Sequence, residues 1–245
     1  AEIVTKIKPC LVGIMLIGNN LTASTWKMNG ASVLAKKIKD KMPDLPVFMW
    51  GQHVSALPER TLREEKCDFV VRGEGIRTIY ELIKAIQDKK NIPGLNIKGL
   101  WYRWNGMVAG SMEPDLIEDL DLLPVDGWDL LDGQEYLNHV PFSFEDLGKR
   151  DRYGTICTSL GCPFHCTYCA VSQFSGKKVR YRSPEQVVKE IDWWVTNRNA
   201  YYLRILDENF TLNREHAMAV CEAVQEAGYD ISMWAYARVD TVDAR

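Results

Sequence analysis

The sequence predicts an α/β protein with a parallel sheet near each end of its 245 residues. In the first and last thirds of the chain, short apolar runs alternate with segments of helical periodicity, which is the element order of parallel sheets crossed by helices. Between them, Asn105-Gly106 separates two short strand-like runs and predicts a β-hairpin. With 46% hydrophobic residues, the chain can bury one large core or two small ones.

The first third contains three predicted strands, at residues 11–17, 47–50 and 68–71. Helices with one apolar face follow the first and the third strand. Their apolar residues are Ala31, Leu34, Ala35 and Ile38 in one helix, and Ile76, Ile79, Leu82, Ile83 and Ile86 in the other. The strands end in polar or glycine-rich segments. Because the carboxyl ends of parallel strands share one edge, we expect a ligand site at that edge.

The middle of the chain, after the hairpin strands at 99–103 and 107–109, has no clear periodicity. Residues 114–148 combine acidic residues, prolines and scattered large apolar side chains. We expect a packed connector here, because the large apolar residues need burial. These residues are Leu120, Leu122, Leu123, Trp128, Leu130 and Leu131.

The last third again alternates strands and helices. Ser183 followed by Pro184 is a helix start, with a capping serine and a proline in the first turn, and Asn213 can cap the next helix. The first of these helices should bury Val187, Val188, Ile191, Trp194 and Val195. Strands are predicted at residues 153–160, 201–206 and 231–235.

Composition and charge exclude several classes of protein. The net charge of −3 does not favour nucleic acid or an anionic membrane as a partner. The apolar run at 11–17 is too short for a membrane span, which needs about 20 residues, and no signal peptide is recognisable. Without a secretion signal, clustered cysteines are more typical of metal ligands than of disulfides. We therefore expect a reducing, cytoplasmic setting.

The most informative feature is a group of three cysteines, Cys162, Cys166 and Cys169, directly after the strand predicted at 153–160. Their spacing is C-x-x-x-C-x-x-C, and Gly161 lets the chain turn sharply before it. A structural zinc site takes four ligands, and an iron–sulfur cluster normally takes four thiolates. Three cysteines therefore leave one metal position for a ligand from outside the protein.

Zinc is the alternative occupant of this loop. A zinc site would need a fourth ligand, and His165 lies within the loop while Cys157 lies just before it. Cys157 on a strand is more simply a core residue, and His165 a surface residue. The pattern therefore favours an iron–sulfur site and leaves zinc as the alternative.

This loop resembles that of the radical S-adenosylmethionine superfamily, whose signature is C-x-x-x-C-x-x-C with an aromatic residue, here Tyr168, before the last cysteine. The resemblance implies a 4Fe-4S cluster on Cys162, Cys166 and Cys169, with S-adenosylmethionine on the remaining iron. An electron from the cluster would cleave this cofactor to methionine and a 5′-deoxyadenosyl radical. Tyr168 would lie near the adenine. The resemblance also implies a small-molecule substrate and an electron donor such as flavodoxin or ferredoxin.

Further residues match the superfamily by position. Its members often have Gly-Gly-Glu after the second strand of the barrel, in contact with the methionine amino group. Here Asp207-Glu208-Asn209 stands in that place, a variant that resembles members with a cobalamin-type domain. Arg238, after the third strand, could pair with the methionine carboxylate. A solvated loop end for Asp207 and Glu208, and a surface cation at Arg238, are the alternatives.

The first third resembles the cobalamin-binding domain that precedes the radical domain in one class of this superfamily. The resemblance depends on the segments after the second and third strands and on connector motifs at 119–124 and 128–131. Two departures are that the usual Gly-Gly pair is Gly51-Gln52 and that no Asp-x-His-x-x-Gly occurs. The alternative is a half-sheet that only packs against the radical domain. The candidate cobalamin residues are Asn19, Gly51, Gln52, His53, Gly73, Glu74 and Gly75.

The resemblance implies an α/β chain with a partial Rossmann-like cobalamin-type domain at 1–92, a hairpin and connector at 93–150, and the N-terminal part of a (β/α) radical SAM barrel at 151–245. Each domain has fewer predicted strands than the family's, so we expect a piece that is truncated at both ends. The implied activity is radical cleavage of S-adenosylmethionine in a cobalamin-dependent methyltransferase. The alternatives are a cobalamin-independent cyclase or oxidoreductase, and a non-catalytic metal-binding fragment.

Overall fold

The computed structural model describes residues 2–17, 24–111, 113–130 and 153–242. The chain divides into two compact units. The first unit comprises Ala1–Ile117 and Gly161–Lys178, and the second comprises Glu118–Leu160 and Val179–Arg245. The cysteine loop therefore belongs to the first unit, while the strands before and after it belong to the second. The three-part domain division at 1–92, 93–150 and 151–245 stays a prediction.

The first unit is built on a five-stranded sheet. Its strands are β1 (Val12–Leu16), β2 (Val47–Gly51), β3 (Phe69–Val71), β4 (Leu100–Trp104) and β5 (Met107–Gly110), and they are ordered as they occur in the chain. β1, β2 and β3 are parallel, and β4 and β5 add an antiparallel hairpin. Asn105 (φ 48°) and Gly106 (φ 77°) form its turn, and both have the positive φ that a type I′ turn requires. The predicted strands and hairpin are confirmed.

Six helices are described in the first unit: α1 (Glu2–Ile7), α2 (Met28–Lys41), α3 (Gln52–Ala56), α4 (Pro58–Glu64), α5 (Ile76–Gln87) and α6 (Val171–Phe174). α2 buries Ala31, Ala35 and Ile38. Leu34 is 39% exposed and Ile76 is 43% exposed, so the prediction that they belong to the buried faces was wrong. Leu34 lies at the margin of a narrow stripe, and Ile76 is the first residue of α5.

The second unit contains β6 (Tyr153–Ile156), β7 (Ser159–Leu160), β8 (Arg180–Tyr181), β9 (Tyr202–Ile205) and β10 (Ser232–Trp234). A parallel sheet has the order β10-β9-β6, and β7 pairs with β8 as a separate antiparallel ribbon. The strand predicted at 153–160 is therefore interrupted at Cys157 and Thr158. The interruption occurs because the Thr158 N–H donates to the carboxylate of Asp207, at 2.7 Å, instead of to a neighbouring strand.

Two helices cover this parallel sheet, α7 (Pro184–Arg198) and α8 (Arg214–Glu226). The Ser183 hydroxyl accepts the Gln186 N–H at 3.3 Å, and the Asn213 side chain accepts the His216 N–H at 3.2 Å, so both predicted caps are confirmed. Their apolar faces form a core with the sheet. Among the described residues, no helix combines the length and the apolar character needed to cross a membrane. The buried core residues include Ile156, Val187, Ile191, Trp194, Leu203, Ile205, Val220 and Val224.

The described part of the connector consists of short 3₁₀ turns at Leu120–Leu122 and Asp126–Leu130. Leu120 is buried, and Trp128 packs on Trp194 with ring centroids 4.8 Å apart. Leu122 is 70% exposed and Leu130 is 89% exposed, so their predicted burial was wrong. A 3₁₀ helix has three residues per turn, so only some of its side chains face a core. Leu131 and residues 132–150 lie outside the described residues.

Replacement of Gly154 tests the packing of α7 on β6. A Cβ atom at Gly154 would lie 2.5 Å from the Trp194 ring and 2.7 Å from Leu203. We expect Gly154→Ala to lower the free energy of unfolding by about 1–3 kcal/mol, as overpacking of a core does. The control is Gly30→Ala in α2, where the Cβ position meets open space. It should raise the stability by roughly 0.5–1 kcal/mol. Urea unfolding followed by circular dichroism measures the stability of both variants. A Gly154→Ala variant that is as stable as the wild type would contradict the described packing.

Candidate functional site

The cysteine loop spans Gly161–Lys178 and closes on itself. The Cys162 N–H donates to the Gly176 carbonyl at 3.1 Å, which joins the two ends of the loop. Gly161 has φ +103°, and a Cβ atom there would lie 2.4 Å from the Lys178 carbonyl oxygen. Only glycine fits where the two ends meet, so the residue predicted to permit the turn has the expected role.

The three cysteines are all half-buried on this loop. The Cys169 N–H donates to the Cys166 carbonyl at 3.1 Å, which makes a tight turn between them. In the described ranges, no three His, Cys, Asp or Glu side chains are arranged to hold a metal ion. The thiols share a loop without converging, but rotation about χ1 moves each sulfur without moving the backbone. Three thiols fit an iron–sulfur cluster in donor chemistry. Tyr168, beside them, is 76% exposed.

The fourth ligands considered for zinc were His165 and Cys157. His165 is exposed. The Cys157 thiol, in the second unit, donates to the Ser159 carbonyl at 3.1 Å. Burial, together with the nearby carboxylate of Asp207, raises the pKa of Cys157 well above the ordinary thiol value. Because zinc binds thiolates, a thiol held in its protonated form is a poor ligand.

The segment after the third cysteine packs on the carboxyl end of the first sheet. Val171 and Phe174 of α6 are buried, and the Phe174 ring lies 6.0 Å from the Trp50 ring at the end of β2. The Trp50 indole N–H donates to the Gly73 carbonyl at 2.7 Å. The sheet edge predicted to bind a ligand is thus partly covered by the cysteine loop.

A buried arginine joins α3 and α6 at the same edge. Arg72, 8% exposed, donates from Nε to the Ser55 carbonyl at 3.0 Å and from Nη2 to Gln173 Oε1 at 2.9 Å. The Gly73 N–H donates to the Ser55 hydroxyl at 2.9 Å. Burial lowers the pKa of Arg72, although a guanidinium stays charged at neutral pH. The sequence prediction missed Arg72 and Gln173, and the only local signal was a charged residue at the end of an apolar strand.

Three predicted cobalamin residues, Gly73, Glu74 and Gly75, are part of this packing. Gly73 has φ +80°, and a Cβ atom there would lie 2.5 Å from a side-chain carbon of Pro114. Gly75 is equally crowded. Glu74 is 3% exposed, and its Oε2 accepts the Ile117 N–H at 3.3 Å. This segment is therefore packed against other parts of the first unit.

The segment after β2 has a different character. Gly51 has φ +141°, and a Cβ atom there would lie 2.3 Å from a backbone oxygen of β1. Gln52 is 2% exposed, and its Oε1 has no hydrogen-bond partner among the described residues. His53 Nδ1 lies 2.9 Å from the Thr25 hydroxyl, and burial lowers the pKa of its imidazole. A buried acceptor without a donor fits a ligand that carries N–H groups. Asn19 lies outside the described residues.

In the second unit, Asp207 is completely buried. One carboxylate oxygen accepts the Thr158 N–H at 2.7 Å, and the other accepts the hydroxyl groups of Thr158 and Ser159, both at 2.6 Å. Both oxygens are therefore used to hold the ends of β6 and β9 together. Thr158 and Ser159 were missed from the sequence, where two hydroxyl residues at the end of an apolar strand were the available signal.

The same network includes His216, which the sequence prediction also missed. His216 Nε2 lies 3.1 Å from the Thr158 hydroxyl oxygen. Because that hydroxyl donates its hydrogen to Asp207, it accepts from His216, which assigns the proton to Nε2. The His216 ring also contacts Tyr181, with centroids 4.6 Å apart. Burial lowers the pKa of His216, and the Asp207 carboxylate partly opposes this shift.

The two residues after Asp207 lie in different surroundings. Glu208 is half-buried, whereas Asn209 is 5% exposed. Asn209 Oδ1 accepts the Arg238 N–H at 3.2 Å and the Thr241 hydroxyl at 3.1 Å, while its Nδ2 has no partner in the described part of the chain. The Arg238 guanidinium pairs with Asp240, with Nε–Oδ1 at 2.9 Å and Nη2–Oδ2 at 2.7 Å. The structure therefore brings Asn209 and the Arg238 backbone together.

Two protein-family models match the chain. The model described as B12 binding domain matches residues 1–83. The model described as Radical SAM superfamily matches residues 156–238, which include the cysteine loop and β7 to β10. The two matches agree with the resemblances predicted for the first and last thirds.

Individual relatives extend over nearly the whole chain. An uncharacterized methyltransferase of Pyrococcus horikoshii is 36% identical over 247 residues, which cover 100% of this chain and 50% of the relative. An anaerobic magnesium-protoporphyrin IX monomethyl ester cyclase of Synechocystis sp. is 26% identical over 243 residues, which cover 99% of this chain and 46% of the relative. The chain spans about half the length of these curated relatives.

A solved structure has the same fold. The cobalamin-dependent S-adenosylmethionine radical enzyme OxsB, with aqua-cobalamin and S-adenosylmethionine bound, superposes with a TM-score of 0.71. The match covers 98% of this chain and 32% of that one at 19% identity. The predicted α/β fold class is confirmed.

Substitution of Asp207 tests its role at the strand ends. Asp207→Asn replaces one acceptor oxygen by an NH₂ group that would face a donor, so we expect a loss of about 1–3 kcal/mol in the free energy of unfolding. Glu208→Gln is the control, because it makes the same chemical change at a half-buried position. Urea unfolding measures both, and equal stability of the two variants would contradict the assigned role of Asp207.

The pH dependence of stability tests the environment of His216. Burial lowers the pKa of its imidazole in the folded state, so the unfolded chain takes up a proton first as the pH falls. This contribution is complete above the unfolded pKa of about 6.5 and is lost as the pH falls towards the lower folded value. We expect His216→Gln to lose less stability than the wild type between about pH 7.5 and about pH 5.5, the interval around the unfolded pKa of about 6.5. Identical pH profiles for the two proteins would contradict the expectation.

Proposed function

Because the chain belongs to the radical S-adenosylmethionine superfamily, in the class that carries a B12-binding domain, we propose that it acts in methyl transfer to a small-molecule substrate. The observation that carries this proposal is the combination of the three-cysteine loop and the B12-binding match in one chain. The 36% identity to a methyltransferase supports methyl transfer as the reaction.

In this proposal Cys162, Cys166 and Cys169 hold a 4Fe-4S cluster. When bound, the cluster would supply the electron that cleaves S-adenosylmethionine to methionine and a 5′-deoxyadenosyl radical, and cobalamin would carry the methyl group. The protein closes the loop through the Cys162 N–H and keeps the cysteines half-buried, which limits their contact with water. The exposed ring of Tyr168 is available to contact the adenine.

For S-adenosylmethionine, the structure distinguishes among the predicted residues. We assign the contact with the methionine amino group to Glu208, because both oxygens of Asp207 are already hydrogen-bonded. Asn209 Nδ2 is a buried donor and fits an acceptor oxygen of the cofactor. Arg238 is the proposed partner of the carboxylate, and its guanidinium already pairs with Asp240. Exchange of this ion pair for the carboxylate costs little, because the pair is partly solvent-exposed.

For cobalamin, we assign the contact to the segment after β2. Gln52 Oε1 is a buried acceptor that fits an amide N–H on the rim of a corrin ring. Gly51 and His53 complete the proposed surface, and Asn19, outside the described residues, stays a predicted contact. Gly73, Glu74 and Gly75 remain candidates as well, but their contacts within the first unit favour a role in shaping the edge.

A second candidate function is radical chemistry without methyl transfer, namely ring formation or oxidation of a small molecule. The 26% identity to a magnesium-protoporphyrin IX monomethyl ester cyclase favours it. Cobalamin dependence of the product distinguishes the two candidates, because methyl transfer through cobalamin stops when cobalamin is withheld.

We also propose a reducing, cytoplasmic setting and an electron donor of the flavodoxin or ferredoxin type. All seven cysteines are free thiols, which is typical of proteins kept under reducing conditions. Reduction of a cluster requires a protein or chemical donor, and a small flavoprotein or iron–sulfur protein has suitable chemistry.

The decisive test is anaerobic reconstitution of the protein with iron and sulfide, followed by chromatography for 5′-deoxyadenosine with and without cobalamin. Wild type should cleave S-adenosylmethionine, and Cys166→Ala should abolish cleavage because the cluster loses a ligand. The matched control is Cys221→Ala, since Cys221 is exposed on α8, and it should keep wild-type cleavage. Undiminished cleavage in Cys166→Ala would refute the assignment, and iron binding without any cleavage in wild type would favour the non-catalytic alternative.

A further inference from the structure

We propose that Arg72 is a positioning residue for the cysteine loop, holding α6 against the carboxyl end of the first sheet and thereby setting the environment of the cluster. The proposal rests on the proposed function in one respect, namely that the cysteines of this loop bind a cluster. It concerns a residue of the B12-binding match, far from the cysteines in the sequence, and assigns it to the chemistry of the cluster.

The guanidinium of Arg72 forms hydrogen bonds to α3 and α6, which lie far apart in the sequence. Its Nε donates to the Ser55 carbonyl of α3, and its Nη2 donates to Gln173 Oε1 of α6. The Arg72 N–H donates to the Gly99 carbonyl at 2.8 Å, so the backbone that carries the side chain is itself fixed by the sheet. The planar fork of arginine presents its donors in fixed directions, which the single ammonium group of lysine cannot reproduce.

α6 depends on such contacts for its position. It has only four residues, and a helix this short is not stable by itself. Its apolar side chains, Val171 and Phe174, are buried, and Phe174 lies beside Trp50. The apolar contacts place α6 on the sheet edge, and the polar contact between Arg72 and Gln173 fixes its position along that edge.

Two backbone hydrogen bonds connect α6 to the segments that hold the cysteines. The Gln173 N–H donates to the Ala170 carbonyl at 3.0 Å, directly after Cys169. On the other side of α6, the Gly176 carbonyl accepts the Cys162 N–H at 3.1 Å. A displacement of α6 would therefore shift the backbone at the first and the third cysteine. Hydrogen bonds to the sulfurs and their exposure to solvent tune an iron–sulfur cluster, so such a shift changes its electronic properties.

Two substitutions remove the contact from opposite sides, and one keeps it. Arg72→Lys loses the fork, and Gln173→Leu loses the acceptor while Arg72 keeps its bond to Ser55. Gln173→Glu keeps an acceptor oxygen at the same place and should keep α6 in its wild-type position. The control is Arg63→Lys, because Arg63 is an exposed arginine of α4 in the same unit that pairs only with neighbouring Glu59 in the described contacts.

The first measurement is amide hydrogen exchange of the cluster-free protein. Arg72→Lys and Gln173→Leu should exchange faster, on the order of tenfold, at the amides of residues 171–176 and at Cys162, because their positions depend on the contact. Gln173→Glu and Arg63→Lys should exchange at the wild-type rate. Unchanged protection in both Arg72→Lys and Gln173→Leu would overturn the proposal, whether or not the protein binds a cluster.

The second measurement is made on the reconstituted protein. Arg72→Lys and Gln173→Leu should bind iron and sulfide in wild-type amounts, but with an altered electron paramagnetic resonance signal and a shifted reduction potential. They should cleave S-adenosylmethionine more slowly, on the order of tenfold to a hundredfold, because misplaced reacting groups lower the rate of a reaction. A wild-type signal, potential and rate in both variants would overturn the link to the cluster. Failure of the wild type to bind a cluster would instead refute the proposed function, and hydrogen exchange would still decide the positioning role.

Discussion

The second unit depends on a buried carboxylate that is bonded to the end of a neighbouring strand. Burial of an unpaired carboxylate costs several kcal/mol, so Asp207 persists only with the hydrogen bonds from Thr158 and Ser159. These bonds turn the Thr158 N–H away from the sheet and end β6. The chain then forms β7 and enters the cysteine loop. The hydroxyl of Thr158 also brings His216 into the network, so one carboxylate determines the conformation of several elements.

The first unit uses a buried charge of the opposite sign at a strand end. Arg72 follows β3 and donates to Ser55 and Gln173. Asp207 follows β9 and accepts from Thr158 and Ser159, at the junction of β6 and β7. In both units the strand ends therefore contain two kinds of residue. Some, such as Arg72 and Asp207, hold the protein edge together. Others, such as Gln52 and Asn209, are buried with a polar atom that has no partner in the described residues and are suited to contact a ligand.

Short-range signals predicted most of the elements, because the interactions that define them are themselves short. The caps at Ser183 and Asn213 act three residues along the chain, and the Asn105-Gly106 turn needs only its own two φ angles. Helical spacing, by contrast, does not specify how wide the packed face is, which explains the exposed Leu34. The break in the strand before the cysteine loop could not be predicted, because it depends on a carboxylate 49 positions away.

The candidate site also combines features that a short sequence pattern predicts with contacts between distant residues that it does not predict. The cysteine spacing specifies the cofactor chemistry within a few residues, so a sequence is sufficient to predict it. The contact between Arg72 and Gln173 joins residues that are 101 positions apart, and no local sequence pattern predicts it. A methyltransferase and a cyclase both match this chain over nearly its full length, including the cysteine loop. Since both matches include the loop, the difference between the two named reactions lies in residues outside it, which include the half of each relative that this chain does not cover.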